Sequence, residues 1–249
     1  MKNSHVTEYS LRLGDDALIL GQRMCEWVAD APFLEEDIAL ANVALDYFGR
    51  ARMLLKYAGE NLGRSEDELA FLRDGRDFKN MLIVELPRGD FAFSLVRQYF
   101  LDEFETLFFA ELTQSKDATL AAVAAKSVKE ISYHLRRSRV WIRKLGLGTE
   151  ESNARAQQAI DELWGYTGEF FQMDAVEDAL VIDGVAVNRA PLQKIWTDVV
   201  SSHVRESGLV IPNGDWQVAG GRQGVHTEHL GHILSELQFL QRAYPGQSW

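Results

Sequence analysis

The 249-residue chain predicts an all-α fold: a four-helix bundle with one long crossover connection, followed by additional C-terminal helices. Three observations predict it. Apolar residues recur at steps of three and four along most of the sequence, which gathers them on one side of an α-helix. A stretch broken by Gly75, Pro87 and Gly89 separates the second long helix from the third, as a crossover requires. Four acids, Asp16, Asp46, Glu103 and Glu130, fall one to each long helix on otherwise small or apolar seams. The whole is read as a single domain, with a core bundle over about 6–145 and accessory helices over about 154–249.

In chain order, Tyr9, Leu13, Asp16, Leu20, Met24 and Trp27 define a first helix that ends before Pro32. Ala39, Asn42, Asp46, Gly49 and Met53 form a seam of small and polar residues on the second, and 59–64 is a turn signal. The third helix begins near Asp90 with a seam of Val96, Phe100, Glu103 and Leu107. The fourth spans about 118–145 and stops at Gly146 and Gly148, where glycine permits a left-handed cap. Its polar stripe is Val123, Ser127, Glu130, His134, Arg137 and Trp141, beside an apolar stripe of Ala124, Val128, Ile131, Leu135 and Ile142. A fifth helix is expected over about 154–180, and Asp183-Gly184 between β-branched residues admits a brief hairpin over 181–188. Pro191 suits the first turn of a helix reaching about Glu206. A loop over 208–224 precedes a last helix to about Tyr244.

The formal charge of −11 argues against nucleic acid as the main partner, because phosphate binding needs a basic surface. Basic residues do gather over 126–144, which leaves a single basic groove open. The one cysteine, Cys25, excludes an internal disulfide and fits a reducing cytoplasm. Beside Trp27 on a helical pattern, it is expected as a small core residue rather than a nucleophile. No basic leader with an apolar run opens the chain, and no apolar stretch approaches about 18 residues, so a soluble cytoplasmic protein without membrane contact is expected.

The four seam acids resemble the carboxylates of a ferritin-like di-iron bundle. Such a site takes one Glu from each of two helices and a Glu-x-x-His from each of the other two, because positions i and i+3 share a face. Here Asp46 is followed at that spacing by Gly49, and Glu130 by Tyr133, with His134 one position further on. A residue step of about 100° carries that imidazole away from the ligand direction. Two readings follow: a metal site with unusual ligands, or acids neutralised by ion pairs inside the bundle. The second is favoured, with Arg137, Arg97, Arg23 and His134 as candidate partners, no bound metal and no catalytic residue.

Three further clusters carry chemistry. His226-Thr227-Glu228-His229 with His232 holds zinc-ligand types, but lacks the i+4 spacing of a His-Glu-x-x-His helix. It is read as a helix start capped near Thr227. The run from Gly220 to Gly224 leads into a helix and could cradle an anion, though it lacks the Lys-Ser/Thr of a nucleotide loop. Between Arg73 and Asn80, two guanidiniums, an ammonium, an amide and the Phe78 ring share one short turn, which suits an adenine nucleotide such as coenzyme A; a solvated charge cluster is the commoner explanation.

Several stretches together resemble one family over essentially the whole chain. They are Leu11-Arg12-Leu13-Gly14-Asp15, Asp37-Ile38-Ala39-Leu40-Ala41-Asn42, Arg97-Gln98-Tyr99-Phe100 and Lys129-Glu130-Ile131-Ser132-Tyr133-His134-Leu135-Arg136. To these add His226-Thr227-Glu228-His229-Leu230-Gly231 and the ending from Leu240-Gln241-Arg242 to Pro245-Gly246-Gln247-Ser248-Trp249. The family is that of the structural subunits of bacterial phenylacetyl-CoA epoxidases, multicomponent ring monooxygenases of phenylacetate catabolism.

The resemblance implies a ferritin-like bundle without a metal site, paired with a homologous catalytic subunit that keeps the di-iron centre. It also implies a further small subunit, and a reductase that carries flavin and an iron–sulfur cluster. Contact with the acyl-CoA substrate is implied at Asp77, Phe78, Lys79 and Asn80 and at Asp178, Ala179 and Leu180. An obligate interface of this kind often exceeds about 2,000 Å². The aromatic residues Phe91, Phe93, Phe104, Phe108 and Phe109 are candidates either for that interface or for a second core layer. An active di-iron oxygenase with unusual ligands and an acyl-CoA-binding helical bundle remain the rival functions.

Overall fold

A computed structural model describes residues 2–214 and 216–247, except for the side chains of residues 2 and 3. Ser248 and Trp249, the end of the C-terminal signature, lie outside the described residues. Among those described, the chain is all-α with no strand, and no helix is long and apolar enough to cross a membrane.

Helix α1 (Lys2–Cys25) packs against α2 (Leu34–Leu62). The pair is antiparallel, because Gly14 faces Leu54 and Leu55 while Gly21 faces Tyr47 and Phe48. A Cβ on Gly14 would come within 2.9 Å of Leu55, so these glycines allow the two backbones to approach closely. The second helix runs through Gly59 and ends at Gly63, whose φ of 65° supplies the left-handed cap. The long connection over 63–90 carries α3 (Glu66–Phe71), a 3₁₀ turn (Gly75–Asp77) and α4 (Leu82–Glu85). A Ser65–Glu68 capping box starts α3.

Helix α5 (Phe91–Leu112) is capped by Asp90, which accepts from the Phe93 N–H at 2.8 Å. The turn over 113–117 leads to α6 (Ala118–Gly146), where the Asp117 carboxylate accepts from the N–H groups of Thr119 and Leu120. The far end of α6 departs from the expected glycine cap. Its cap is Leu147 at φ −100°, and neither Gly146 nor Gly148 takes a positive φ. Gly146 is needed for close approach instead, since a Cβ there would lie 2.0 Å from the Ser207 carbonyl oxygen.

The expected fifth helix is broken into α7 (Glu150–Leu163), a 3₁₀ stretch (Trp164–Phe171) and α8 (Ala175–Ile182). Added Cβ atoms on Gly165 and Gly168 would meet Trp216 at 1.8 Å and Gln217 at 1.7 Å, so a later segment lies directly across this stretch. The expected hairpin is absent among the described residues. Gly184 (φ 75°) turns the chain, and the Val185 N–H donates to the Leu180 carbonyl at 2.8 Å, which closes α8. Then follow α9 (Ala190–Glu206), with Pro191 in its first turn, a 3₁₀ turn (Gly221–Gln223), α10 (Glu228–Leu237) and α11 (Phe239–Ala243).

This element order, two helix pairs joined by one long connection and followed by accessory helices, is that of a ferritin-like four-helix bundle. Its contacts group the chain into two compact units, Met1–Pro87 with Gly220–Trp249, and Arg88–Ala219. That division differs from the expected core over 6–145 and accessory region over 154–249. The C-terminal helices α10 and α11 belong with α1 to α4, and α7 to α9 belong with α5 and α6.

Within the second unit, Phe104 stacks on Phe170 with ring centroids 4.9 Å apart, and Phe108 lies 5.5 Å from Phe104. The Trp196 indole N–H reaches the Phe100 carbonyl at 3.1 Å. Phe104, Phe108 and Phe109 are all buried, and for them the second-layer alternative holds rather than the interface. Phe91 is half-buried, edge-on to Trp141 at 5.1 Å.

Candidate functional site

The positions expected to hold a metal fall two by two into the two units, and in each an arginine holds one of the acids. On α1, Asp16 accepts the Met81 N–H at 2.7 Å and both terminal nitrogens of Arg222, at 3.1 and 2.7 Å. The pair is nearly enclosed, with side chains 12% and 8% exposed. On α2, Asp46 and Gly49 are half-buried. On α5, Glu103 is clamped by Arg139 of α6 through two bonds, 2.6 and 2.8 Å, in the parallel fork geometry a guanidinium favours. Glu130 forms an ion pair with Lys126 one turn back.

The groups holding these three acids are therefore Arg222, Arg139 and Lys126, none of them among the expected partners. Arg23 instead pairs with Glu26 and donates to the Glu85 carbonyl, and Arg97 is buried over the Phe93 ring. Tyr133 lies outward, 42% exposed, while His134 is buried. The donor set does not fit a di-iron centre. Both oxygens of Asp16 and both of Glu103 already accept from arginine, and the positions that would carry imidazoles hold Gly49 and a solvent-facing Tyr133. Among the described residues, no three His, Cys, Asp or Glu side chains are placed to hold a metal ion.

Sequence reasoning missed Asp102, the neighbour of Glu103. It is fully buried, accepts from the Gln98 amide at 2.6 Å, and burial pushes its carboxyl well above the usual range. Burial, followed by the charge of Glu103, likewise raises the Tyr99 phenol. Cys25 is half-buried with its thiol pushed up by burial, which leaves it a poor nucleophile.

The remaining clusters turn inward, within the first unit. Arg73, 4% exposed, grips Asp15 with two nitrogens and lies 4.2 Å from the centre of the Phe78 ring. The ring expected to receive a base is thus fully buried and already covered by a guanidinium. Asn80 is buried too, donating to Glu85 at 2.8 Å; of that turn Asp77 is exposed and Lys79 half-buried. At the other expected substrate segment Asp178 is exposed, Ala179 half-buried and Leu180 buried. The glycine run over 220–224 serves an anion inside the protein: it delivers Arg222 to Asp16 and to the carbonyls of Lys79 and Arg12.

Glu85, which had no signal in the sequence, organises the histidine motif. One of its oxygens accepts the Thr227 N–H and hydroxyl, at 2.6 and 2.9 Å. The other faces His226 Nδ1 at 2.7 Å. His226 Nε2 faces the Phe78 carbonyl at 2.9 Å, so an acceptor on each side calls for a proton on both ring nitrogens. Burial alone would lower the imidazole, but Glu85 and the Phe78 carbonyl raise it on balance. Thr227 stands at the cap of α10, as expected, and its hydroxyl is spent on Glu85 rather than on the helix.

Fold and site together define an all-α protein of ferritin-like order, in which acids at the positions expected to hold a metal are engaged in ion pairs. The chain belongs to the family described as phenylacetic acid catabolic protein, whose model matches residues 1–249. It is similar to one of the subunits of 1,2-phenylacetyl-CoA epoxidase from Escherichia coli (strain K12), with 47% identity over 247 residues, covering 99% of this chain and 100% of that protein. The family expected from the sequence is the family found.

Proposed function

We propose that the chain is the non-catalytic structural subunit of a multicomponent phenylacetyl-CoA epoxidase in aerobic phenylacetate catabolism. It works in the cytoplasm beside a homologous subunit that holds the di-iron centre. A further small subunit completes the assembly, and a reductase with flavin and an iron–sulfur cluster supplies electrons. The observation that carries this reading is the double guanidinium clamp, Arg222 on Asp16 and Arg139 on Glu103, together with Gly49 and an outward Tyr133 where imidazoles would stand. Iron would have to displace two arginines and would find no nitrogen ligand at either i+3 position, 49 or 133.

The likeness to an epoxidase subunit supports assembly with other chains. So does one exposed face of α2, where Leu34, Ile38 and Leu45 are each more than half exposed at helical spacing. A homologous bundle offers a natural cover for such a stripe. A contribution to acyl-CoA binding is open to Asp77 and Lys79 in the first unit and, separately, to Asp178 and Ala179 in the second, because Phe78, Asn80 and Leu180 are buried inside the fold.

The test is iron analysis and turnover on the isolated chain after anaerobic iron loading, beside the same measurements on its co-expressed assembly. The expected result is iron and epoxidation only when the homologous subunit is present. Stoichiometric iron with turnover in the isolated chain would reject the proposal in favour of an oxygenase with unusual ligands.

A further inference from the structure

The basic run of α6 is a seam. Positions 126, 129, 133, 136, 140, 143 and 147 advance by alternate steps of three and four, the spacing that keeps one face toward a partner helix. Tyr133, Val140 and Leu147 occupy one set of heptad positions, and are 42%, 48% and 55% exposed. Lys129, Arg136 and Arg143 occupy the other set and are exposed as well. The stretch from Lys129 to Leu147 is about 27 Å long at the rise of an α-helix.

Its charge is unlike the rest of the molecule. The helix carries seven Lys or Arg residues against the single Glu130, in a chain whose formal charge is −11. Lys126 pairs with Glu130 and Arg139 with Glu103, but among the described residues Lys129, Arg136 and Arg143 have no carboxylate partner. Arg136 lies 5.8 Å from the centre of the Tyr133 ring on its own helix. A merely solvated face has no need of the exposed Tyr133, Val140 and Leu147 at three successive alternate positions, beyond Lys126, which is paired with Glu130.

We infer that this face docks an acidic amphipathic helix of another protein component, whose own seam alternates apolar residues with Asp or Glu. Apolar contacts at 133, 140 and 147 would be framed by charge pairs at 129, 136 and 143, a pattern that sets register and speeds encounter. Nucleic acid is disfavoured by the alternate apolar positions and by the net negative charge. Two copies of this acidic chain begin from mutual repulsion, so a different component is the occupant. The inference rests on the reading of the chain as a subunit of a larger assembly.

The test titrates the immobilised full-length chain with each separately purified component of the epoxidase, at about 50 and about 300 mM salt, between which exposed charge pairing fades. One component is expected to bind K129E/R136E/R143E at least about tenfold more weakly than the native chain, with most of its salt dependence gone. V140A/L147A should weaken the same component while leaving the salt dependence in place. K129Q/R136Q/R143Q, with an unchanged thermal melt, replaces the charge reversal if that variant does not fold.

If the native chain assembles and every component binds all variants equally well, the docking inference is overturned and the subunit reading stands. If the native chain binds no component, both are overturned. A loss confined to a duplex oligonucleotide, or to self-association seen by sedimentation, also overturns the inference by assigning the seam to nucleic acid or to a second copy.

Discussion

The Asp16–Arg222 clamp gives the sharpest test of what holds the C-terminal segment in place. Replacing Arg222 by Met keeps most of the side-chain volume and removes the guanidinium. Two contacts to Asp16, 3.1 and 2.7 Å, are lost, together with those to the carbonyls of Lys79 (2.6 Å) and Arg12 (3.2 Å). Removing one member of a buried ion pair costs about 3–5 kcal/mol, chiefly because the other charge is left unpaired. Asp16 keeps the Met81 N–H at 2.7 Å, which places the expected cost near the lower end, about 3 kcal/mol. In a chain of this size that lowers the melting temperature by roughly 6–12 °C. The assay is urea denaturation with hydrogen exchange on the amides of Met81 and of α10, which should lose protection together. A double cycle with Asp16→Asn should show a coupling of about 2 kcal/mol. A loss below about 1 kcal/mol, with protection of α10 unchanged, would refute the claim that this ion pair ties the segment down.

Four other outcomes are expected. Because the His226 imidazole is raised in the folded protein, its ion pair with Glu85 contributes fully below the ordinary histidine value and fades as pH climbs through the raised one. Urea midpoints across a range of about pH 5 to 9 should therefore fall on the alkaline side, and His226→Gln should flatten the slope. For Asp102 the same sign applies: a carboxyl raised by burial weakens the fold as pH rises, so Asp102→Asn should gain stability most at alkaline pH in thermal melts. Gly146→Ala should cost about 2 kcal/mol or more, because its Cβ meets a backbone oxygen at 2.0 Å, whereas Gly14→Ala meets side-chain atoms of Leu55 and Leu54 at 2.9 Å and beyond, and should cost less than half as much by denaturant titration. Tyr133→His restores the Glu-x-x-His spelling but on an outward-facing position, so metal analysis should find no stoichiometric iron; an occupied site would sink the geometric account.

What the sequence reveals and what it hides follow from how local the cause is. Helix positions were legible because period and caps are local: Asp90 caps α5, Pro191 opens α9, and Gly63 ends α2 within the expected turn. The fifth helix was not, because its break answers to Trp216 and Gln217, which lie in a remote stretch of the chain. The missing imidazoles at Gly49 and Tyr133 could be read directly. The identity of the neutralising groups could not. Arg137 shares the stripe of Glu130, yet the register between α5 and α6 brings Arg139 to Glu103. Arg222 reaches Asp16 from 206 positions away, and His226 reaches Glu85 from 141, distances at which no spacing rule operates. Likewise the donors and ring between Arg73 and Asn80 were visible as an ensemble, but only tertiary contacts reveal that Asp15 and Arg73 already use them.

These internal pairings bear on what the buried acids do for the fold. A buried ion pair is weak evidence for stability in itself, since a well-packed apolar replacement is often as good or better. Its distinctive effect is on alternatives, because any arrangement that separates the partners strands two charges. Asp15, Asp16 and Glu85 each bind groups from remote segments: Arg73, Arg222, and His226 with Thr227. Together they fix where the connection over 73–85 and the segment over 220–227 lie against α1, at positions where apolar packing alone would tolerate sliding. In this arrangement Asp16 acts on structure, as Asp15 and Glu85 do. The pairs hold the surface of the first unit in one arrangement.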